Sequence, residues 1–151
     1  MPMKLQKDIH EFVALLLSRK VEFLLVGGYA LAFHGAPRFT EDIDFFVLVS
    51  PENSAKLAGV IEEFGFGELG LGPADFLVPD QVIQLGRAPH RIDLLTGISG
   101  VPWEVAWGSR IQGNLGGLTV PVIGKTALEA NKAATGRPQD LADLARLRGR
   151  A

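Results

Sequence analysis

The chain contains no cysteine, which excludes disulfide bridges and thiolate zinc sites. It has no apolar run approaching the length needed to span a bilayer, so no membrane partner is expected. It lacks a strong excess of either charge: Lys and Arg number 15 against 17 Asp and Glu, a net charge of −2. That balance excludes a bulk nucleic-acid binder, so any RNA contact needs a local basic patch. The opening residues Met1 to Phe12 are charged and lack the long apolar centre of a signal peptide, so the expected compartment is cytoplasmic. There is no internal repeat and no low-complexity tract.

What remains is an ordinary globular composition, 47% hydrophobic and 21% charged over 151 residues. That length suits one domain with a full core, residues 1–151.

The informative stretch runs from Phe23 to Val49. An apolar run ends at Val26, and Gly27-Gly28 breaks it. A short helical turn over Tyr29 to His34 follows, and a second strand runs from Asp42 to Val49. Strand side chains alternate faces, so Asp42 and Asp44 point the same way. Two like charges one pleat apart repel, which suits a divalent cation between them. Glycine at a strand-to-helix turn permits positive φ and close approach of a ligand to the backbone. The free N–H groups of the helix start favour an anion, phosphate above all. Gly28 is expected to accept Ser and refuse Val, on the view that its φ is positive.

The string Val26-Gly27-Gly28, thirteen residues, then Asp42-Ile43-Asp44-Phe45 resembles the signature of the DNA polymerase β-like nucleotidyltransferase superfamily. There, a Gly-Gly or Gly-Ser is followed by a spacer of about ten residues and Asp-x-Asp in a strand. With Arg38 and Thr40 ahead of the carboxylates, it resembles the bacterial minimal nucleotidyltransferase branch that includes AbiEii-type toxins. The C-terminal string from Lys132 through Arg137 and Asp140 to Asp143 resembles the end of AbiEii-like chains.

The resemblance implies a small mixed β-sheet with helices packed on it and a C-terminal helix pair, an α/β (α+β) nucleotidyltransferase fold. It implies a nucleoside triphosphate bound with Mg²⁺ or Mn²⁺. Gly27, Gly28, Arg38, Thr40 and Lys132 are its expected nucleotide contacts, and Asp42, Asp44 and Asp93 its metal ligands and catalytic acids. Asp93 is chosen because an acid inside the apolar strand His90 to Leu95 needs a partner. A third carboxylate can complete a second metal position and serve as base. The competing partner is Arg91 or Arg87, and Asp75 and Asp80 are weaker substitutes for the third acid. For Arg38 the alternative is a loop arginine bonded to backbone carbonyls. For Lys132, which shares a helix face with Lys125, it is a face of local ion pairs such as Arg137 with Asp140. His34 and His90 read as capping or packing residues, and Trp103 and Trp107 as core packing before base stacking.

The implied activity is transfer of a nucleoside monophosphate to an acceptor hydroxyl on an RNA end such as tRNA, a protein side chain or a small molecule. One domain leaves little room for a drug pocket unless a homodimer forms one. The alternative is a nucleotide-binding module of a two-gene toxin–antitoxin pair, docking on an antitoxin or small helical partner.

The remaining elements follow from periodicity. Helices are expected over Lys7 to Ser18, from Pro51 to about Phe64 with Ser50 as cap, over Pro102 to Trp107, Lys125 to Thr135 and Pro138 to Leu147. Strands are expected over Glu22 to Val26 and Val82 to Leu85, with a hairpin from Arg110 to Ile123 turning at Asn114 to Gly117. Gly65 to Pro79 reads as a loop or distorted hairpin, the most mobile segment.

Overall fold

The computed structural model describes residues 7–86 and 91–149. His90 and Arg87, one read as a capping or packing residue and the other a suggested partner of Asp93, lie outside the described residues.

Helix α1 spans Lys7–Ser18 and buries Ile9, Phe12, Val13 and Leu16, the stripe its spacing predicts. Strand β1 is Phe23–Val26, all four residues buried. Helix α2 is Gly27–Ala32, and β2 is Asp42–Val47. Helix α3 runs over Pro51–Ile61, where Ser50 Oγ accepts from the Asn53 N–H. Strands β3 (Val82–Leu85) and β4 (Arg91–Leu95) precede helix α4 (Trp103–Gly108). Strands β5 (Ile111–Leu115) and β6 (Leu118–Val122) form the expected hairpin. Helices α5 (Lys125–Thr135) and α6 (Pro138–Leu147) close the described chain.

The six strands form one sheet in the order β3-β4-β2-β1-β6-β5. β2 lies antiparallel to β1 and parallel to β4, while β1 is parallel to β6, so the sheet is mixed as expected. The period-two rule divides β2 cleanly. Phe45 faces α1, stacking near Phe12 at 6.2 Å and edge-on to Phe23 at 5.5 Å. Asp42, Asp44 and Phe46 share the opposite face, where Phe46 meets Trp103 of α4 edge-on at 5.1 Å. One face of β2 is therefore core, and the other carries carboxylates at one end and aromatics at the other.

Two stretches differ from the sequence reading. α3 ends at Ile61 and widens into a π-type turn over Glu62–Phe66, interrupted by Gly65 at φ 105°. Gly65 to Pro79 is neither loop nor hairpin throughout but holds short 3₁₀ turns at Gly67–Leu69 and Pro73–Phe76. Phe76 is the reason: it is fully buried, and its carbonyl accepts from Ser54 Oγ of α3 at 3.3 Å. No helix among the described residues is long and apolar enough to cross a membrane.

Candidate active site

β1 passes directly into α2 at Gly27, whose φ is +66°. A Cβ at this position would lie 2.1 Å from Asp44 Oδ2, so only glycine lets the turn and the carboxylate share the space. Gly28 is different and corrects the sequence expectation. Among the described residues, positive φ belongs to Gly27 and not to Gly28. The constraint at Gly28 is Thr40, whose Cβ would stand 3.0 Å from an added Cβ. Thr40 in turn donates from Oγ1 to the Asp42 carbonyl at 3.1 Å, fixing the entry to β2.

The parallel pairing of β2 with β4 sets Asp42 opposite Arg91 and Asp44 opposite Asp93. Four charged side chains thus gather on one face at one end of the sheet. Arg91 Nη2 donates to Asp42 Oδ2 at 2.5 Å and reaches Asp93 Oδ2 at 3.4 Å. Arg91 Nε lies 3.2 Å from Asp93 Oδ1, yet the two atoms are misaligned, and both are buried without a hydrogen-bond partner. Burial and the facing Asp93 push the Asp44 carboxyl up to about 7. Arg91 is held protonated more firmly, chiefly by Asp93.

The other cations come from the β1–β2 connection and the C-terminal helices. Lys132 of α5 is buried between two carboxylates of α6, 3.3 Å from Asp140 Oδ1 and 3.0 Å from Asp143 Oδ2. Arg38 grips Asp143 with two donors, Nε at 2.8 Å and Nη2 at 3.1 Å. It also bonds the Phe39 carbonyl at 3.2 Å. Arg38 therefore pairs with a carboxylate, but one from α6 and not from β2. Arg137 pairs with Asp140 at 2.6 Å, the local ion pair weighed from sequence. Burial alone would raise Asp140 and Asp143, but hydrogen bonds from Arg137, Arg38 and Lys132 outweigh it and hold both below the usual carboxylate range. Sequence reasoning missed the role of Asp143. The available signal was spacing: Asp140, Asp143, Leu144 and Leu147 form the buried stripe of α6.

Gly27, Gly28, Arg38, Thr40, Asp42, Asp44, Asp93 and Lys132 all line one cleft of about 640 Å³, together with Arg91, Arg137 and Asn131. Every residue expected to touch nucleotide or metal is brought to this cleft. Lys125 is exposed at the start of α5 and does not line it. Asp75 accepts from the Gly72 N–H at 2.8 Å, and Asp80 lines another cavity, so neither supplies the third acid. His34 Nε2 bonds the Ile123 carbonyl at 2.7 Å, a packing role.

Among the described residues, no group of three or more His, Asp or Glu side chains is placed to hold a metal ion as it stands. Arg91 supplies the positive charge between Asp42 and Asp93 instead. The donor set still fits a hard divalent cation. It offers carboxylate oxygens from adjacent strands, one of them buried without a hydrogen-bond partner, and an Asp44 carboxyl short of positive charge.

The family model described as nucleotidyl transferase AbiEii toxin, type IV toxin–antitoxin system, matches residues 16–88. No curated protein matches the chain by sequence. Among solved structures, the lincosamide antibiotic adenylyltransferase LnuA superposes with a TM-score of 0.58 at 13% identity, covering 98% of this chain and 99% of that one. The antibiotic-resistance factor ANT(2'')-Ia gives 0.57 at 18%, covering 93% and 80%. An antigenic nucleotidyltransferase-like protein from Paracoccidioides brasiliensis gives 0.54 at 16%, covering 95% and 76%. At these identities the superpositions establish the fold. The chain thus has the fold of these nucleotidyltransferases over its whole length, and its Gly-Gly and Asp-x-Asp segment is similar to the AbiEii-type nucleotidyltransferase family.

Proposed function

We propose that this cleft transfers a nucleoside monophosphate from a nucleoside triphosphate to an acceptor hydroxyl, releasing pyrophosphate. The observation that carries the reading is the placement of Asp44 directly opposite Asp93 beside the Gly27 turn, within one cleft. The backbone at Gly27 and Gly28 receives the phosphates, and Lys132, Arg38 and Arg137 surround them with positive charge. Asp42, Asp44 and Asp93 would hold Mg²⁺ or Mn²⁺. When bound, the metal lowers the acceptor's pKa and neutralises charge on the α-phosphate and the leaving group.

The acceptor oxygen forms a bond to the α-phosphorus as the bond from that phosphorus to the bridging oxygen breaks. The hydroxyl proton passes to the Asp93 carboxylate, and the electron pair of the broken bond leaves with pyrophosphate. Arg91 holds Asp42 and Asp93 in place before the substrate arrives.

Known relatives pull the choice of acceptor two ways. The AbiEii match speaks for a toxin–antitoxin partner and a macromolecular acceptor, while the superposed LnuA and ANT(2'')-Ia act on or resist antibiotics by their descriptions. The test is incubation of the chain with each labelled triphosphate, Mg²⁺ and whole lysate. The expected result is label transfer with pyrophosphate release, lost in Asp42→Asn. Absence of both Mg²⁺-dependent nucleotide binding and pyrophosphate release with every triphosphate would sink the reading.

A further inference from the structure

Among the described residues, the cations lining the cleft are Arg38, Arg91, Lys132 and Arg137. All are paired with carboxylates, but not with carboxylates of one kind. Arg38, Lys132 and Arg137 bond Asp140 and Asp143 of α6, and these pairs involve none of the strand acids. Arg91 differs. Its partners are Asp42 and Asp93, two of the three acids proposed to hold the divalent ion.

The geometry of that pairing is specific. Arg91 Nη2 alone serves both acids, 2.5 Å from Asp42 Oδ2 and 3.4 Å from Asp93 Oδ2. One nitrogen between two carboxylate oxygens marks the point on which those oxygens converge. A hard divalent ion asks for oxygens converging in the same way, at about 2.0–2.6 Å. Guanidinium and metal therefore claim one position, and an arginine does not yield it by losing its proton.

The guanidinium fits this position imperfectly. Its Nε lies 3.2 Å from Asp93 Oδ1 without a hydrogen bond, and both atoms are buried and unpartnered. A buried carboxylate oxygen without a donor is costly, and a cation of another shape satisfies it. Asp44, opposite Asp93, takes part in no ion pair among the described residues. Three strand carboxylates thus share one cation. The Arg91 side chain is 32% exposed against 6% for Lys132, so Arg91 has open space to swing into where Lys132 is held.

We propose that Arg91 is a resident counter-cation with two positions. Before substrate arrives it stands between Asp42 and Asp93, and in the loaded cleft it leaves them to the divalent ion and bonds the triphosphate oxygens. The assignment rests on the nucleotidyl transfer proposed above and adds a control on the same site. Without any cation the acids on this face repel, which is why a stand-in is needed until the metal comes. The chain alone then holds a divalent ion weakly, because binding must first expel a guanidinium from two carboxylates. A phosphate chain removes that cost by accepting the guanidinium, whose fork its oxygens match. Metal and phosphate affinities are thereby coupled through Arg91, each raising the other by the same factor.

Equilibrium dialysis against Mn²⁺ tests this without reference to turnover. Arg91→Gln should tighten the binding of Mn²⁺ alone about tenfold or more. Arg137→Gln removes an equal charge from the same cleft, on a side chain 72% exposed, and should change it by less than about threefold. Arg91→Lys keeps one charge without the fork and should show a smaller gain in the same direction, which covers the case of a Gln variant that fails to fold. Inorganic tripolyphosphate, at equal concentration in both dialysis compartments, supplies phosphates without a base. It should raise the Mn²⁺ affinity of the wild type and raise that of Arg91→Gln much less.

Equal Mn²⁺ affinity in the wild type and both Arg91 variants overturns the proposal, as does a gain in Arg137→Gln as large as in Arg91→Gln. An enhancement by tripolyphosphate that Arg91→Gln retains in full overturns it too. Any of these results, with Mg²⁺-dependent pyrophosphate release intact in the wild type, leaves nucleotidyl transfer standing. A gain confined to the Arg91 variants, with no pyrophosphate release from any triphosphate, keeps Arg91 over the metal position and removes the proposed activity.

Discussion

Gly27 and Asp44 occupy space that a single added carbon would fill, since a Cβ on Gly27 would stand 2.1 Å from Asp44 Oδ2. Gly27→Ala meets both that clash and the penalty of φ +66°. The expected cost is on the order of 1–3 kcal/mol, with Asp44 displaced and triphosphate affinity reduced. Gly28→Ala meets only Thr40 at 3.0 Å, in a backbone conformation open to any residue, and should cost less. Denaturant titration and nucleotide titration on the two variants make the comparison. Equal stability of Gly27→Ala and wild type would mean that the turn and the carboxylate are not in contact.

The metal prediction falls on Asp42. Its partner Arg91 sits in a partly exposed pair, so the charge removed by Asp42→Asn should change stability by no more than about 1 kcal/mol. Divalent-dependent binding of triphosphate should fall strongly. Calorimetry with and without Mg²⁺ decides the matter: metal-dependent binding equal to wild type would remove Asp42 from the ligand set.

The Gly-Gly and Asp-x-Asp segment was legible because its pattern is local. Gly27-Gly28, Asp42 and Asp44 lie within one supersecondary unit, and strand alternation alone puts the two carboxylates on one face. Asp93 was reachable from the cost of an acid in an apolar strand. What sequence could not give was register. Whether Asp44 faces Asp93, and whether Arg91 joins them or points away, depends on how β2 meets β4. The same holds for Arg38 and Asp143, which are 105 residues apart and meet through the docking of α6. The positive φ assigned to Gly28 belongs to Gly27, where the helix starts, two residues earlier than the expected Tyr29.

The buried cluster on α6 predicts acid sensitivity. Asp143 is held below the usual carboxylate range in the folded chain, with burial opposed and outweighed by Arg38 and Lys132. A lowered folded pKa contributes stability that is fully present above the unfolded value, 3.8, and is lost as pH falls through the folded value. Asp143→Asn leaves Arg38 without its partner and Lys132 with Asp140 alone, and should cost about 3 kcal/mol at pH 7. The gap between wild type and variant should narrow as pH drops below the ordinary carboxylate range. A constant gap down to pH 3, measured by denaturant unfolding, would show that Asp143 contributes through packing and not through charge.

Asp93 separates catalysis from binding. It is buried opposite Asp44, and its contact with Arg91 is near but poorly aligned. Asp93→Asn keeps the shape of the side chain and removes its charge and basicity. If the carboxylate takes the proton of the acceptor hydroxyl, nucleotide binding through Gly27, Gly28, Asp42 and Asp44 survives. Transfer then falls by roughly 10²–10⁴, the range for losing a general base. The competing role is structural, with Asp93 serving as a counter-charge for Arg91. In that case the variant loses stability, by about 3–5 kcal/mol at most for a buried pair, and turnover per folded molecule holds. The misaligned Nε–Oδ1 contact argues for the first outcome, because a pair selected only for stability would satisfy both buried atoms. Melting temperature and single-turnover rate on the same preparation distinguish the two. A destabilised Asp93→Asn with normal turnover would take Asp93 out of the reaction and leave Asp42 and Asp44 as its only strand carboxylates.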